Sequence, residues 1–151
     1  MIKRTLIFFT IIATAFYITC KKDNPAEPTA TPMLTPAAVT DTAAWTVNPG
    51  NYTHLMTIVA TIKLHDQMIC SNANKLAAFA GDEVRGVGTP YNHLGCVNYN
   101  LIVYSNSPGD SITFGIYLAD QDTAVAALNT LVFTTIAGHG SPDFPYAIEV
   151  E

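Results

Sequence analysis

Two pairs of charged side chains have residue types and a spacing that suit ion or ligand binding. Asp120 and Asp122 stand two residues apart at the end of a predicted strand, where both carboxylates can serve as oxygen ligands for Ca²⁺. Calcium takes about six to eight oxygens from several segments, however, and aspartates in a turn commonly face water or cap the next element. Calcium is therefore one of two interpretations of this pair, and no other cofactor is predicted.

The second pair is Glu83 and Arg85, two residues apart on a predicted strand. Their side chains share one face of the strand and are close enough to form an ion pair. Arg85 is the only arginine after residue 44. Two roles remain open for it: a structural residue that ties down a neighbouring loop, or a contact for a ligand.

Aromatic side chains add a third kind of chemistry, because flat rings stack on sugar faces. Tyr91 is predicted in a loop and Tyr104 on the less apolar face of a strand, and with Glu83 and Arg85 they form the predicted ligand-binding set. Trp45 has two interpretations, an exposed ring or a large plug at the end of the fold; we favour the plug.

Other chemistry is not indicated. The four histidines are scattered without a pair at metal-ligand spacing, and no serine, histidine and aspartate form a nucleophile–base pattern. The chain is predicted to have no catalytic residues and not to be an enzyme. The histidines are His54, His65, His93 and His139.

Charge narrows the range of partners. From residue 44 onward there are three basic and nine acidic residues, a net charge of −6. So few cations cannot neutralise a row of phosphates, which excludes nucleic acid as an expected partner. The same deficit argues against docking on anionic lipid through the surface of the domain.

The elements that must position these residues are strands. Turn residues interrupt apolar, β-branched runs every eight to twelve residues or so, which is typical of an all-β sandwich. We predict one immunoglobulin-like antiparallel β-sandwich over residues 44–151. Residues 122–128 are either a short helix or a loop that crosses between sheets. The predicted strands are 55–64, 76–80, 83–87, 96–104, 111–118, 131–137 and 146–150.

Two hairpins can be specified from these runs. A two-residue turn at Gly81-Asp82, with glycine at the position that needs a positive φ, pairs Ala80 with Glu83 and Ala78 with Arg85. The apolar sets of 96–104 and 111–118 must face the same core. We therefore predict that these two strands pair through a loop at 105–110, with Tyr104 opposite Ser111.

The N-terminus has the pattern of an export signal. Lys3 and Arg4 precede an apolar run at 5–18 that is too short to span a bilayer comfortably, and Cys20 follows. This arrangement resembles the lipobox of bacterial lipoproteins. The resemblance implies a signal peptide at 1–19, acyl chains on Cys20 and attachment to the membrane through that lipid anchor. Residues 20–43 include a proline-, threonine- and alanine-rich stretch that is typical of an extended tether.

Two more cysteines remain in the predicted exported domain. Cys70 and Cys96 are an even pair in a setting that permits oxidation. Two interpretations are open: a disulfide, or two buried thiols that pack as small apolar side chains.

The run KLAAFAGDEVRGV at residues 75–87 resembles a β-sandwich module of surface and secreted proteins of Bacteroidetes. Cys20-Lys-Lys-Asp also resembles lipoproteins of that phylum, and triplets at Asp41, Asp110 and Asp122 resemble its short O-glycosylation motif. The resemblance implies the fold and a place at the outer membrane.

The function expected from these observations is non-catalytic binding or adhesion. The ligand would be a surface glycan or a protein, contacted through loops at 90–95 and 105–110. The alternative is a structural subunit of an envelope assembly, such as an appendage or a nutrient-uptake complex, which an exposed terminal strand would favour.

Overall fold

The computed structural model describes residues 42–151, which contain eleven strands and three short 3-10 helices. The predicted signal peptide, Cys20 and the tether up to residue 41 lie outside the described residues. The strands are β1 (His54–Leu64), β2 (Gln67–Met68), β3 (Lys75–Ala80), β4 (Glu83–Val87), β5 (Thr89–His93), β6 (Cys96–Ser105), β7 (Ser111–Leu118), β8 (Thr123–Ala126), β9 (Leu131–Val132), β10 (Gly138–His139) and β11 (Tyr146–Val150). The 3-10 helices are Thr42–Ala44, Pro49–Asn51 and Ala119–Gln121.

The strands form two sheets, which confirms the predicted all-β sandwich. The first sheet has the order β10-β1-β6-β5, and β2 and β11 also pair with β1. The second has the order β4-β3-β7-β8, with β9 also on β7. Most pairs are antiparallel as predicted, but β1 pairs in parallel with both β10 and β11.

The core lies between the sheets and follows from the alternation of side chains along the strands. In β1 and β6, every second side chain is buried in the core, as the period of a strand requires, and most of the side chains between them point outward and are more exposed. Thr61, Cys96 and Asn98 are also buried, although they do not belong to this alternating set. Tyr99 is the largest side chain of this core, and its hydroxyl lies 3.4 Å from the carbonyl oxygen of Asn74. Burial raises the pKa of Tyr99 to about 12.

The predicted hairpin between β6 and β7 is wrong. Tyr104 pairs with Leu55 of β1 rather than with Ser111, and β7 pairs with β3 in the other sheet. Residues 105–110 therefore cross from one sheet to the other. The apolar faces of the two strands meet the same core from opposite sides, and this arrangement satisfies the alternation as well as a hairpin does.

The turn between β3 and β4 has the predicted residues at its tip, but the pairing of the two strands farther from the turn differs from the prediction. Gly81 has a φ of 59°, and Ala80 pairs with Glu83. The predicted pairing of Ala78 with Arg85 is wrong: Ala78 pairs with Gly86, because a bulge leaves Arg85 as an extra residue. A side chain at Gly86 would place its Cβ 2.3 Å from the carbonyl oxygen of Ile102, so only glycine allows β4 this close to β6.

Three further predictions about elements need correction. Residues 122–128 are not a helix, since they contain β8, which pairs with β7. The predicted strand 131–137 is reduced to β9. The predicted loop 90–95 is mostly β5 and the turn that joins it to β6.

Cys70 and Cys96 are joined by a disulfide, with their Cα atoms 4.6 Å apart. The bridge fastens the segment after β2 to the first residue of β6. Closing a loop of this length contributes about 3.5 kcal/mol through the lower chain entropy of the unfolded state.

Trp45 is only 6% exposed, as expected of a plug, but it does not lie at the end of the sandwich. It packs on the outer face of the second sheet with Ala77 and Phe79. Its ring meets the Phe79 ring edge to face, with centroids 5.8 Å apart. A Cβ on Gly115 would lie 2.9 Å from the Phe79 ring, so this glycine leaves the space that the aromatic pair fills.

Candidate functional site

Arg85 lies at the centre of a cluster where β4 approaches the end of β6. Its Nη2 is 3.2 Å from Glu83 Oε2 and 3.9 Å from Asp110 Oδ2, and its Nη1 donates to Ser105 Oγ at 3.4 Å. The side chain is 14% exposed, and its Nε is buried with no hydrogen-bond partner among residues 42–151. The predicted ion pair with Glu83 is present, and the contacts to Ser105 and Asp110 fit the structural role.

These contacts fasten the segment that crosses between the sheets. Ser105 Oγ donates to Asp110 Oδ2 at 2.5 Å, and the backbone N–H of Ser107 donates to Ser105 Oγ at 3.0 Å. The loop at 105–110, which was predicted to contact a ligand, is therefore held largely by bonds within the domain.

A row of stacked groups extends from Arg85 to the outer face of the first sheet. The Arg85 guanidinium carbon lies 5.0 Å from the centre of the Tyr52 ring, which stacks on the Tyr104 ring at 6.1 Å and 22°. Tyr52 also donates its hydroxyl to Glu83 Oε1 at 2.6 Å. Desolvation and then this bond to a carboxylate raise the pKa of Tyr52, although Arg85 opposes the shift.

Tyr104 belongs to an uncharged area of the first sheet that we call the open window. The window consists of outward-facing side chains of β1, β5 and β6, and it combines apolar groups with hydroxyls and an amide. Leu55 and Ile102 are 43% and 44% exposed. The register places these side chains in neighbouring rows on one face. Its members are Leu55, Thr57, Val59, Thr89, Asn100, Ile102 and Tyr104.

A shallow cleft of about 220 Å³ lies along one edge of the open window. Its wall comes from Val47 and Pro49 of the N-terminal segment (residues 45–53) and from Val87 of β4. The window side of the cleft is formed by Thr89, Asn100, Ile102 and Tyr104. None of these side chains is ionisable at neutral pH, which distinguishes the cleft within a strongly acidic domain.

Tyr91, the fourth residue of the predicted ligand-binding set, lies apart from the other three. It is on β5 opposite Asn98, six residues along β6 from Tyr104, which corresponds to roughly 20 Å. Its hydroxyl is buried without a hydrogen-bond partner among residues 42–151. The structure thus brings together Glu83, Arg85 and Tyr104 and separates them from Tyr91.

The far end of the first sheet is covered by the segment after β10. The side-chain amide of Asn98 donates a hydrogen bond to the carbonyl oxygen of Pro142 at 3.0 Å, and His93 Nε2 lies 2.9 Å from Asp143 Oδ1. Leu94 and Phe144 project from this end and are strongly exposed. This segment and the N-terminal segment border the open window at its two ends.

The two aspartates considered for calcium lie beside β7. Asp122 adopts a left-handed conformation after the 3-10 helix Ala119–Gln121 and accepts a hydrogen bond from the Tyr117 hydroxyl at 2.6 Å. This bond raises the pKa of Tyr117. Within residues 42–151, no three His, Cys, Asp or Glu side chains are grouped so that they could hold a metal ion. Calcium binding by Asp120 and Asp122 stays a prediction.

Of the four residues on the window side of the cleft, the sequence predicts only Tyr104 as a ligand contact. Asn100 and Ile102 alternate with the buried residues of β6, so their outward direction could have been inferred from the period of a strand. Thr89 lies outside the predicted strands, and the predicted loop 90–95 begins at the next residue. Proline at position 90 is nevertheless compatible with an edge strand such as β5.

No protein-family model, curated protein or solved structure matches the chain. None of the helices within the described range 42–151 is long and apolar enough to cross a membrane.

Proposed function

We propose that the chain is a lipid-anchored, non-catalytic binding module of the outer membrane, and that the open window receives its ligand, a surface glycan or a protein. The window carries this proposal. It is an accessible area of uncharged side chains on a domain whose net charge is −6. Exposed apolar groups beside free polar groups are typical of interaction sites.

The attachment point of the domain supports the same role. Trp45 packs on the outer face of the second sheet, whereas the window is on the outer face of the first. A chain that leads back from Trp45 to a lipid on Cys20 therefore starts on the side opposite the window. If extended, residues 23–41 would allow roughly 60 Å between the domain and the membrane, at about 3.1 Å per residue.

The alternative role as a structural subunit would be supported by an open terminal strand. The outer edge of β11 is instead occupied within the domain. The backbone N–H of Leu128 donates to Glu149 O at 2.8 Å. The Asn129 side chain donates to Ala147 O at 2.7 Å and accepts from the Glu149 N–H at 3.1 Å. These bonds leave little of this edge for another strand, so we favour binding.

Ligand capture by the full chain tests the proposal. The chain is offered to a glycan array and to proteins extracted from host and bacterial surfaces. Ile102→Asp places a charge in the window, and Val132→Asp is the matched control, because Val132 is 62% exposed but lies in the second sheet. We expect Ile102→Asp to abolish capture and Val132→Asp to leave it unchanged. Absence of capture by the unmodified chain, or equal capture by both variants, would contradict the proposal.

The anchor is tested separately by growing cells with labelled fatty acid. The unmodified chain should incorporate the label and fractionate with outer membranes, whereas Cys20→Ala should do neither. Label that persists in Cys20→Ala would place the lipid elsewhere, and an unlabelled unmodified chain would remove the anchor from the proposal.

A further inference from the structure

We infer that the ligand of the cleft is a neutral sugar, whose ring stacks on Tyr104 while its hydroxyls bond Asn100 and Thr89. This inference rests on the proposed function and specifies its ligand. It follows from three properties of the cleft: a fixed aromatic ring, unused hydrogen-bonding groups and the absence of charge.

The first property is the fixed position of Tyr104, which both lines the cleft and stacks on Tyr52. Tyr52 is held in turn by the Glu83 carboxylate on its hydroxyl and by the Arg85 guanidinium over its ring. Arg85 is itself paired with Glu83. A ring that is already fixed loses little conformational freedom on binding, which favours stacking with a flat apolar surface.

The second property is the availability of polar groups. Neither Asn100 nor Thr89 has a side-chain hydrogen bond within residues 42–151, and both side chains are exposed. An amide offers donors and an acceptor, and a hydroxyl offers both, so each can bond a sugar hydroxyl in either direction. The two residues are directly opposite each other on β5 and β6, which places their side chains next to each other at the cleft.

The third property is charge. The side chains that line the cleft carry no charge, while the domain as a whole is acidic. A sulfated or carboxylated polysaccharide would find no cation in the cleft and a repulsive field around it. A purely apolar protein segment would cover Asn100 and Thr89 without pairing them, which is costly for buried polar groups.

The size of the cleft suits a small unit. At about 220 Å³ it is smaller than the roughly 300–1,000 Å³ of pockets that enclose a drug-sized molecule. A single ring of a chain fits such a site, and the neighbouring rings would lie along the open window over Ile102 and Leu55. We therefore expect longer oligosaccharides to bind more tightly than single sugars.

The test is titration of the full chain with neutral oligosaccharides of glucose, xylose, mannose and galactose, and with heparin fragments and oligogalacturonate as charged probes. At least one neutral series should bind, and the charged probes should not. Tyr104→Ala and Asn100→Ala should each weaken binding about tenfold, from the loss of a stacking contact or of a hydrogen bond. Phe144→Ala is the control, because Phe144 is an aromatic side chain that is 82% exposed but lies outside the cleft.

Circular dichroism and the urea midpoint of each variant show whether it is folded, and Tyr104→Phe supplies a second variant that keeps the ring. Capture of a protein or a charged glycan that Tyr104→Ala does not weaken would overturn this inference and leave the proposed function intact. Binding of neutral sugar that is unchanged in Tyr104→Ala and Asn100→Ala would also overturn it. If the full chain binds none of these sugars, this inference fails; if it also captures nothing from the glycan array or the surface extracts, the proposed function fails with it.

Discussion

The two outer faces of the sandwich differ in how far other residues of the chain cover them. On the second sheet, Trp45 closes over Ala77 and Phe79, and all three side chains are buried. On the first sheet, Leu55 and Ile102 remain almost half exposed, although the same N-terminal segment passes beside them. One outer face has become a second small core, and the other has remained a surface.

The first sheet is therefore not exposed for want of nearby residues that could cover it. The 45–53 segment places its tryptophan on one sheet and only Val47 and Pro49 at the margin of the other. Burying the window would gain about 25 cal/mol per Å² of apolar surface. An apolar surface that stays accessible despite this gain is typical of a site that something else covers.

The largest effect should come from opening the covered face. Trp45→Ala removes the ring that seals Phe79, and we expect the free energy of unfolding to fall by about 3 kcal/mol, as is usual for truncation of a large buried aromatic side chain. Urea unfolding followed by far-UV circular dichroism measures this loss without depending on tryptophan fluorescence.

Trp45→Phe is the matched control, since it keeps an aromatic edge against Phe79 and should cost clearly less. A loss below about 1 kcal/mol in Trp45→Ala would mean that the second sheet does not need its cover. The contrast between the two faces would then disappear.

The core between the faces should respond to alkaline pH. Tyr99 has its pKa raised by burial from 10.0 to about 12, so the folded state binds its proton more tightly than the unfolded state does. The stabilisation is complete below pH 10 and is lost as the pH rises from 10 to 12, by about 2 kcal/mol. Unfolding midpoints across this range should fall less in Tyr99→Phe than in the unmodified chain. An equal fall would show that other groups govern the alkaline response.

A smaller loss of stability is expected from a substitution that fills the space next to the Trp45 and Phe79 rings. Gly115→Ala would place a methyl group 2.9 Å from Phe79 Cε2 and 3.4 Å from Trp45 Cζ2. We expect a loss of about 1–2 kcal/mol, because the two rings must shift to accommodate it. In the Trp45→Ala background the loss should shrink, since the Phe79 ring can then shift away from the methyl group into the space of the missing indole. Additive losses in the double variant would disprove this packing relation.

Much of the fold could be predicted from alternation, and the rest depends on contacts that alternation does not encode. The strands β1, β6, β7 and β11 are predictable because apolar residues recur at every second position. The pairing partners of β6 and β7 are not predictable in this way, because two strands that face one core have the same pattern whether they pair or lie in opposite sheets. The bulge at Arg85 was also missed, since it depends on how closely Gly86 approaches Ile102.

The candidate site divides in a similar way. Glu83, Arg85 and Tyr104 were selected for their chemistry, and the structure groups them. The residue that connects them, Tyr52, comes from a segment 31 residues before Glu83, and no local pattern indicates that contact. Tyr91 was selected on the same chemical grounds and lies elsewhere, because residue type alone does not determine position along a strand.

The smallest change in stability should follow substitutions in the open window. Leu55→Thr and Ile102→Thr keep the β-branched or strand-compatible character that β1 and β6 need, and both side chains are already more than two fifths exposed. We expect the free energy of unfolding to change by about 0.5 kcal/mol or less for each, measured in urea. The same variants should weaken ligand capture, because they remove apolar area from the proposed contact surface. A loss above about 2 kcal/mol without ligand would mean that these side chains are buried in the isolated chain, and the window would then be a covered face like the one beneath Trp45.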